Sequence, residues 1–297
     1  MISVRQWDHA VLPARDLWRA ERWYSAVLGG AIFMQIGLTS EDIRVPAGCF
    51  IKIGRQHIGL FLQAEAVTPP DDASACPRWA FSIPAGLWEE ALRQASRLGS
   101  ALGSERKERF NNQDCFVVDV RDSEGNPLEL VRDEHGTAPA LSHFHSESTD
   151  LDQTARFYGR YLGASVLARS DRRLTLGWQS GQACIVEKRE RLSSWQPHEY
   201  RGRHFAFHVD DATWRDIVGL LRADGVAEGD VLARQSQAVG APSSTPGGGA
   251  QHHERGGREL ATYFVDPNGL RLQILNIDSD TAAGTEPLIR LVEVSRS

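Results

Sequence analysis

Read for its alternation of apolar and polar positions, the chain spells out one succession of elements twice. Short starts with β character at 7–12 and 141–146 are followed by Asp16 and Asp150, the residue type that caps a helix N-terminus. The helices they open end near Gly29 and Gly163, where a left-handed cap suits glycine. In the first helix Trp18, Arg22 and Val27, set against Tyr24 and Leu28, show amphipathic spacing. The apolar runs 51–53, 58–62, 175–178 and 183–186 predict strands. A second unit then opens with a strand at 79–83 and a helix over 87–98, and closes with strands at 115–120 and 127–131. The C-terminal half repeats this with a strand at 204–209, a helix at 212–224, and strands at 259–265 and 270–276.

The repetition extends to residue identity. A shift of 134 lays His9 on His143, Asp16 on Asp150, Leu17 on Leu151, Tyr24 on Tyr158 and Gly29 on Gly163. A shift of 126 lays Trp79-Ala80-Phe81 on Phe205-Ala206-Phe207, and a shift of 144 lays D-S-E-G-N-P-L-E-L-V from Asp122 on D-P-N-G-L-R-L-Q-I-L from Asp266. The offset thus grows by 18 (144 minus 126), and the polar, Gly/Ser-rich stretch 235–258 is the natural home for the extra residues, as a surface insertion or a functional loop.

Composition narrows the function. The 297 residues are 41% hydrophobic and 24% charged, an ordinary globular balance with length for about two domains. The 33 basic and 39 acidic residues give a net charge of −6 with no basic stripe, so nucleic acid is not an expected partner. Cys49, Cys76, Cys115 and Cys184 are far apart and form no C-x-x-C pair, which fits a reducing cytoplasm, and no apolar run reaches the ~18 residues of a membrane span.

The fourfold β-α-β-β-β pattern, with His9 and His143 on first strands and closing D-x-x-G-x-x-x-[E/Q] strands, resembles the vicinal oxygen chelate superfamily. That group includes glyoxalase I, fosfomycin and bleomycin resistance proteins, methylmalonyl-CoA epimerase and extradiol ring-cleavage dioxygenases. The resemblance covers about residues 5 to 277. It implies an α+β fold in which tandem paired βαβββ modules form two cupped-sheet domains, at 1–135 and 138–280, with 281–297 as a C-terminal tail. The tail segment T-E-P-L-I-R-L-V-E-V alternates like an edge strand, suited to covering a sheet edge or meeting a second copy in a homo-oligomer.

In that family a divalent metal is held by residues of first and last strands. Carried onto this chain, the C-terminal half offers His143, His204 and Gln273 as metal ligands, with Gln273 where Glu is usual and Glu187 near the place of a fourth ligand. His145 and His208 share the strand faces of the two histidines and are alternative ligands or lining residues. The N-terminal half offers His9, Gln63 and Glu129, but Arg78 stands where a second His would be, so that half is expected to be vestigial. The strand E-L-A-T-Y-F-V-D-P-N-G resembles the extradiol signature: Tyr263 precedes the D-P-x-G turn by three residues, and His253 lies ten residues before it, displaced by one. The resemblance therefore implies catalytic roles for Tyr263 and His253. A second active-site His is missing from the strand that reads A-C-I-V.

Three functions compete. The first is an extradiol-type non-haem Fe(II) dioxygenase acting on a catecholic aromatic. The second is a glyoxalase-like isomerase or lyase with a redox-inert metal, for which a Gln ligand has family precedent. The third is a metal-free binding or resistance protein that holds a planar aromatic against tryptophans such as Trp178 and Trp195.

Overall fold

The structure, a computed structural model, describes residues 2–39, 44–62, 76–110, 113–193, 204–226 and 261–276. The first module runs β1 (Gln6–Ala14), α1 (Leu17–Leu28), β2 (Ala31–Thr39), β3 (Arg44–Ile53) and β4 (Gln56–Leu62). The second runs β5 (Arg78–Pro84), α2 (Trp88–Arg97), β6 (Arg106–Phe110), β7 (Gln113–Arg121) and β8 (Pro127–Asp133). The third follows with β9 (Ala140–Ser148), α3 (Leu151–Leu162), β10 (Ser165–Arg169), β11 (Arg173–Gly177) and β12 (Ala183–Lys188). Of the fourth, the described residues show β13 (His204–His208), α4 (Asp211–Ala223), β14 (Ala261–Val265) and β15 (Arg271–Leu275). The fold is α+β, and the described residues form two curled sheets of seven and eight strands.

The chain divides into two compact units. One holds the described residues of Met1–His9 and Ser146–Ala282, with strand orders β14-β15-β13-β1 and β10-β11-β12-β9. The other holds Ala10–His145, with orders β1-β4-β3-β2 and β9-β5-β8-β7-β6. Strands β1 and β9 each begin in one unit and end in the other, and this places the histidines they carry. His9, at the end of the first stretch, stands beside β13, whereas His143 stands beside β5.

The duplication is written in matched contacts. Asp16 and Asp150 cap α1 and α3 through side-chain oxygens, and Gly29 and Gly163 end them in the left-handed region at φ 64° and 63°. At Gly163 a Cβ would also stand 2.3 Å from the Ile2 carbonyl oxygen, so both conformation and space demand glycine. Tyr24 donates its hydroxyl to Asp122 at 2.9 Å in one unit, and Tyr158 donates to Asp266 at 3.1 Å in the other. Each aspartate also accepts two backbone N–H groups of its own turn. The turn of each closing strand is thereby tied to a helix, the physical reason both motifs carry the same residues.

Large aromatics fill the cores. Trp23, Trp79, Phe81 and Trp88 are fully buried in one unit. In the other, Trp7 meets Phe205 edge-on at 4.7 Å and Trp178 at 5.6 Å. Trp178 also donates its indole N–H to the Leu162 carbonyl, so this expected stacking surface for a ligand is a core residue; Trp195 lies outside the described residues. The α1 face differs from its expected form. Leu17, Ala20, Trp23, Tyr24, Val27 and Leu28 are buried, whereas Trp18 and Arg22 face solvent. Among the described residues no helix is long and apolar enough to cross a membrane.

Candidate metal centre

Strand β9 reads A-L-S-H-F-H-S-E-S, and the two-residue pleat puts His143 and His145 on one face. In the antiparallel pairing with β5, His145 stands opposite Arg78 and His143 opposite Ala80. Ala80 is in turn aligned with Glu129 of β8, and Glu129 with Asp119 of β7. Register alone therefore gathers Arg78, Asp119, Glu129, His143 and His145 on one surface, beside an apolar floor of Ala80, Val117 and Val131.

Three donor atoms converge there. Glu129 Oε1 lies 3.1 Å from His143 Nε2 and 3.4 Å from His145 Nε2, and the two imidazole nitrogens are 3.2 Å apart. All three residues are at most 2% exposed. Donors about 2.1 Å from a divalent ion are separated by about 3.0 Å in an octahedron and about 3.4 Å in a tetrahedron, and the observed triangle falls in that window. A point about 2.1 Å from all three lies about 1 Å outside their plane. Two imidazoles and one carboxylate on a face form the donor set of the non-haem iron facial triad. Among the described residues this is the one group of three His, Cys, Asp or Glu side chains that converges in this way.

Protonation and outer contacts suit the same purpose. Burial alone would raise the Glu129 carboxyl, but its hydrogen bonds and charge interactions with His143 and His145 outweigh burial and hold it well below the usual range. Burial pushes His145 down to about 4, with the positive charge of Arg78 adding to the effect and Glu129 opposing it. At neutral pH the site therefore carries an ionised carboxylate and a neutral His145 imidazole, the forms that ligate. His143 Nδ1 lies 3.1 Å from Ser142 Oγ, a contact that orients the ring, and Glu129 Oε2 receives Arg106 Nη2 at 2.7 Å.

The other unit has its own cluster. His9 Nε2 lies 3.4 Å from His204 Nε2, and His9 Nδ1 is 2.6 Å from Asp8 Oδ1. Gln273 is aligned with Ala206 and with Tyr263, which puts it on the face of His204. The Tyr263 ring meets His204 edge-on at 5.3 Å, and the Arg271 guanidinium lies over that ring at 4.3 Å. Burial, then the charge of Arg271, pushes His204 well below its usual range. This donor set of two imidazoles and an amide has no carboxylate, which makes it the poorer cation site.

The structure thus distributes the expected ligands. His143, His204 and Gln273 are not brought together within either unit: His143 stands with Glu129 and His145, and His204 with His9, Gln273 and Tyr263. Glu187 pairs with Arg189 at 3.0 Å, and His208 ends β13 half-buried. Gln63 and His253 lie outside the described residues. Joining His145 to Glu129 is the step that sequence reasoning missed, although the two-residue spacing of His143 and His145 and the closing-strand position of Glu129 were its visible signals.

No protein-family model and no curated protein matches the chain. Solved structures do resemble it along its whole length. A Bacillus subtilis protein described as a "putative dioxygenase" superposes with TM-score 0.66 at 15% identity, over 100% of this chain and 95% of that one. Glyoxalase I from Zea mays gives 0.63 at 14%, over 94% and 95%. The chain carries the vicinal oxygen chelate fold.

Proposed function

We propose that this protein is a metal-dependent enzyme, a non-haem Fe(II) dioxygenase of extradiol type whose substrate is a catecholic aromatic and whose ligands are Glu129, His143 and His145. The observation that carries the reading is the buried triangle of Glu129 Oε1, His143 Nε2 and His145 Nε2, with sides of 3.1 to 3.4 Å. Ferrous iron held by Glu129, His143 and His145 would supply open coordination positions and a path for electrons from the catechol, itself the reductant, to dioxygen. The protein's part is positional and electrostatic. Glu129 supplies one negative charge, and the Ser142 contact fixes the His143 ring. Arg106 holds the remaining carboxylate oxygen of Glu129, and Ala80, Val117 and Val131 provide an apolar wall for a flat ring. We assign His9, His204, Gln273 and Tyr263 to a second cluster that does not hold the iron.

Oxygen uptake by Fe(II)-reconstituted protein with a panel of catechols tests this. The expected result is consumption of oxygen with appearance of a yellow ring-opened product, lost in Glu129→Ala and His145→Ala. Metal bound at one per chain with no uptake across the panel would rule against the dioxygenase and leave a redox-inert isomerase or lyase. Protein that binds an aromatic without taking up metal would favour sequestration.

A further inference from the structure

Arg78 occupies a first-strand position on the face of the donor triangle, directly opposite His145, and is only 3% exposed. Its carboxylate neighbours are out of hydrogen-bond reach, with Asp119 Oδ1 3.7 Å from Nε and Glu129 Oε2 3.8 Å from Nη2. Both are already engaged by Arg106, which approaches Asp119 at 2.7 Å and Glu129 at 2.7 Å. Two donor nitrogens of Arg78, Nε and Nη1, are therefore buried with no hydrogen-bond partner among the described residues. A buried guanidinium with unused donors is costly unless a ligand completes it.

Charge balance points the same way. Around Glu129 stand two guanidinium groups, Arg78 and Arg106, and three carboxylates, Glu108, Asp119 and Glu129. A divalent ion added to that set leaves one formal positive charge beside the buried Glu129 and Arg78. One anionic group on the incoming ligand cancels it.

We infer that Arg78 is the specificity residue of this centre and that it selects a substrate bearing a carboxylate, held between the metal and the guanidinium, over an uncharged analogue. The inference rests on the metal reading given above and deepens it. The test is calorimetric, on zinc-loaded protein so that no turnover intervenes, with 2,3-dihydroxybenzoate and catechol as probes. The wild type is expected to bind the acid at least about tenfold more tightly than catechol. Arg78→Met should erase that preference while keeping zinc at one per chain, and Arg78→Lys should keep part of it. Thermal melts check that both variants fold. A wild type without preference, or Arg78→Met with the full preference, overturns the inference and leaves the metal reading standing. If the wild type takes up no zinc, the metal reading has failed, and oxalate binding by metal-free protein decides the rest. Binding at least about tenfold weaker in Arg78→Met upholds the anion role of Arg78, and equal or absent binding overturns it.

Discussion

Replacing Glu129 by glutamine removes one charge and almost no volume from the most constrained position in the centre. The carboxylate is 1% exposed and faces four groups, with His143 and His145 on Oε1 and Arg106 and, more distantly, Arg78 on Oε2. Removing one partner from a buried ion pair costs about 3–5 kcal/mol. Arg106 keeps Asp119 and Glu108 and is a third exposed, which places the loss for Glu129→Gln near about 3 kcal/mol. At about 2–4 °C per kcal/mol that lowers the melting temperature of metal-free protein by roughly 6–12 °C. The same change removes the only anionic ligand. Wild-type protein at a metal concentration about 100 times its dissociation constant gains about 2.7 kcal/mol, and the variant should gain none. Thermal melts with and without metal, paired with metal analysis after dialysis, read both effects. A variant that melts within about 1 °C of wild type and keeps its metal would refute the assignment of Glu129 as ligand and as counter-charge.

Three other outcomes follow from the geometry. Tyr24→Phe and Tyr158→Phe each remove one donor from a buried aspartate and should destabilise by similar amounts, about 2 kcal/mol each in chemical denaturation; markedly unequal losses would contradict the equivalence of the two turns. In metal-free protein the His145 imidazole should titrate near 4 in NMR spectra, not near 6.5. Because its folded value lies below its unfolded one, its contribution to stability is present above about pH 6.5 and is lost as pH falls through 4. Asp150→Ala should cost about 1 kcal/mol, since Asp150 Oδ1 accepts the N–H groups of both Asp152 and Gln153, and a denaturation midpoint equal to wild type would refute the capping role.

Much of this architecture was legible because its signals are local. Caps at Asp16 and Asp150, left-handed glycines at 29 and 163, and the twin turns at Asp122 and Asp266 each act within a few residues of themselves, so repetition in sequence became repetition in structure. Strands without a buried stripe escaped. β10 is exposed at every position, and β6 reads R-K-E-R-F, a charged edge held by pairing with β7 and by the ion pairs of Arg106. The site was harder to read, because strand neighbours decide which histidines meet. His143 and His9 hold matched places beside the matched strands β5 and β13, yet His143 meets Glu129 and His145 whereas His9 meets His204, a matter of pairing that no local motif encodes. Arg78 read as a cationic residue in the place of a second ligand histidine. The structure shows it facing a floor where Asp119 and Glu129 offset that charge.

Metal content of single-histidine variants tests the central claim most directly. One divalent ion per chain should be retained after dialysis by wild-type protein and by His204→Ala, and lost by His143→Ala and His145→Ala, with circular dichroism confirming that all four are folded. Retention of metal by His145→Ala together with its loss from His204→Ala would place the ion in the other unit and contradict the account.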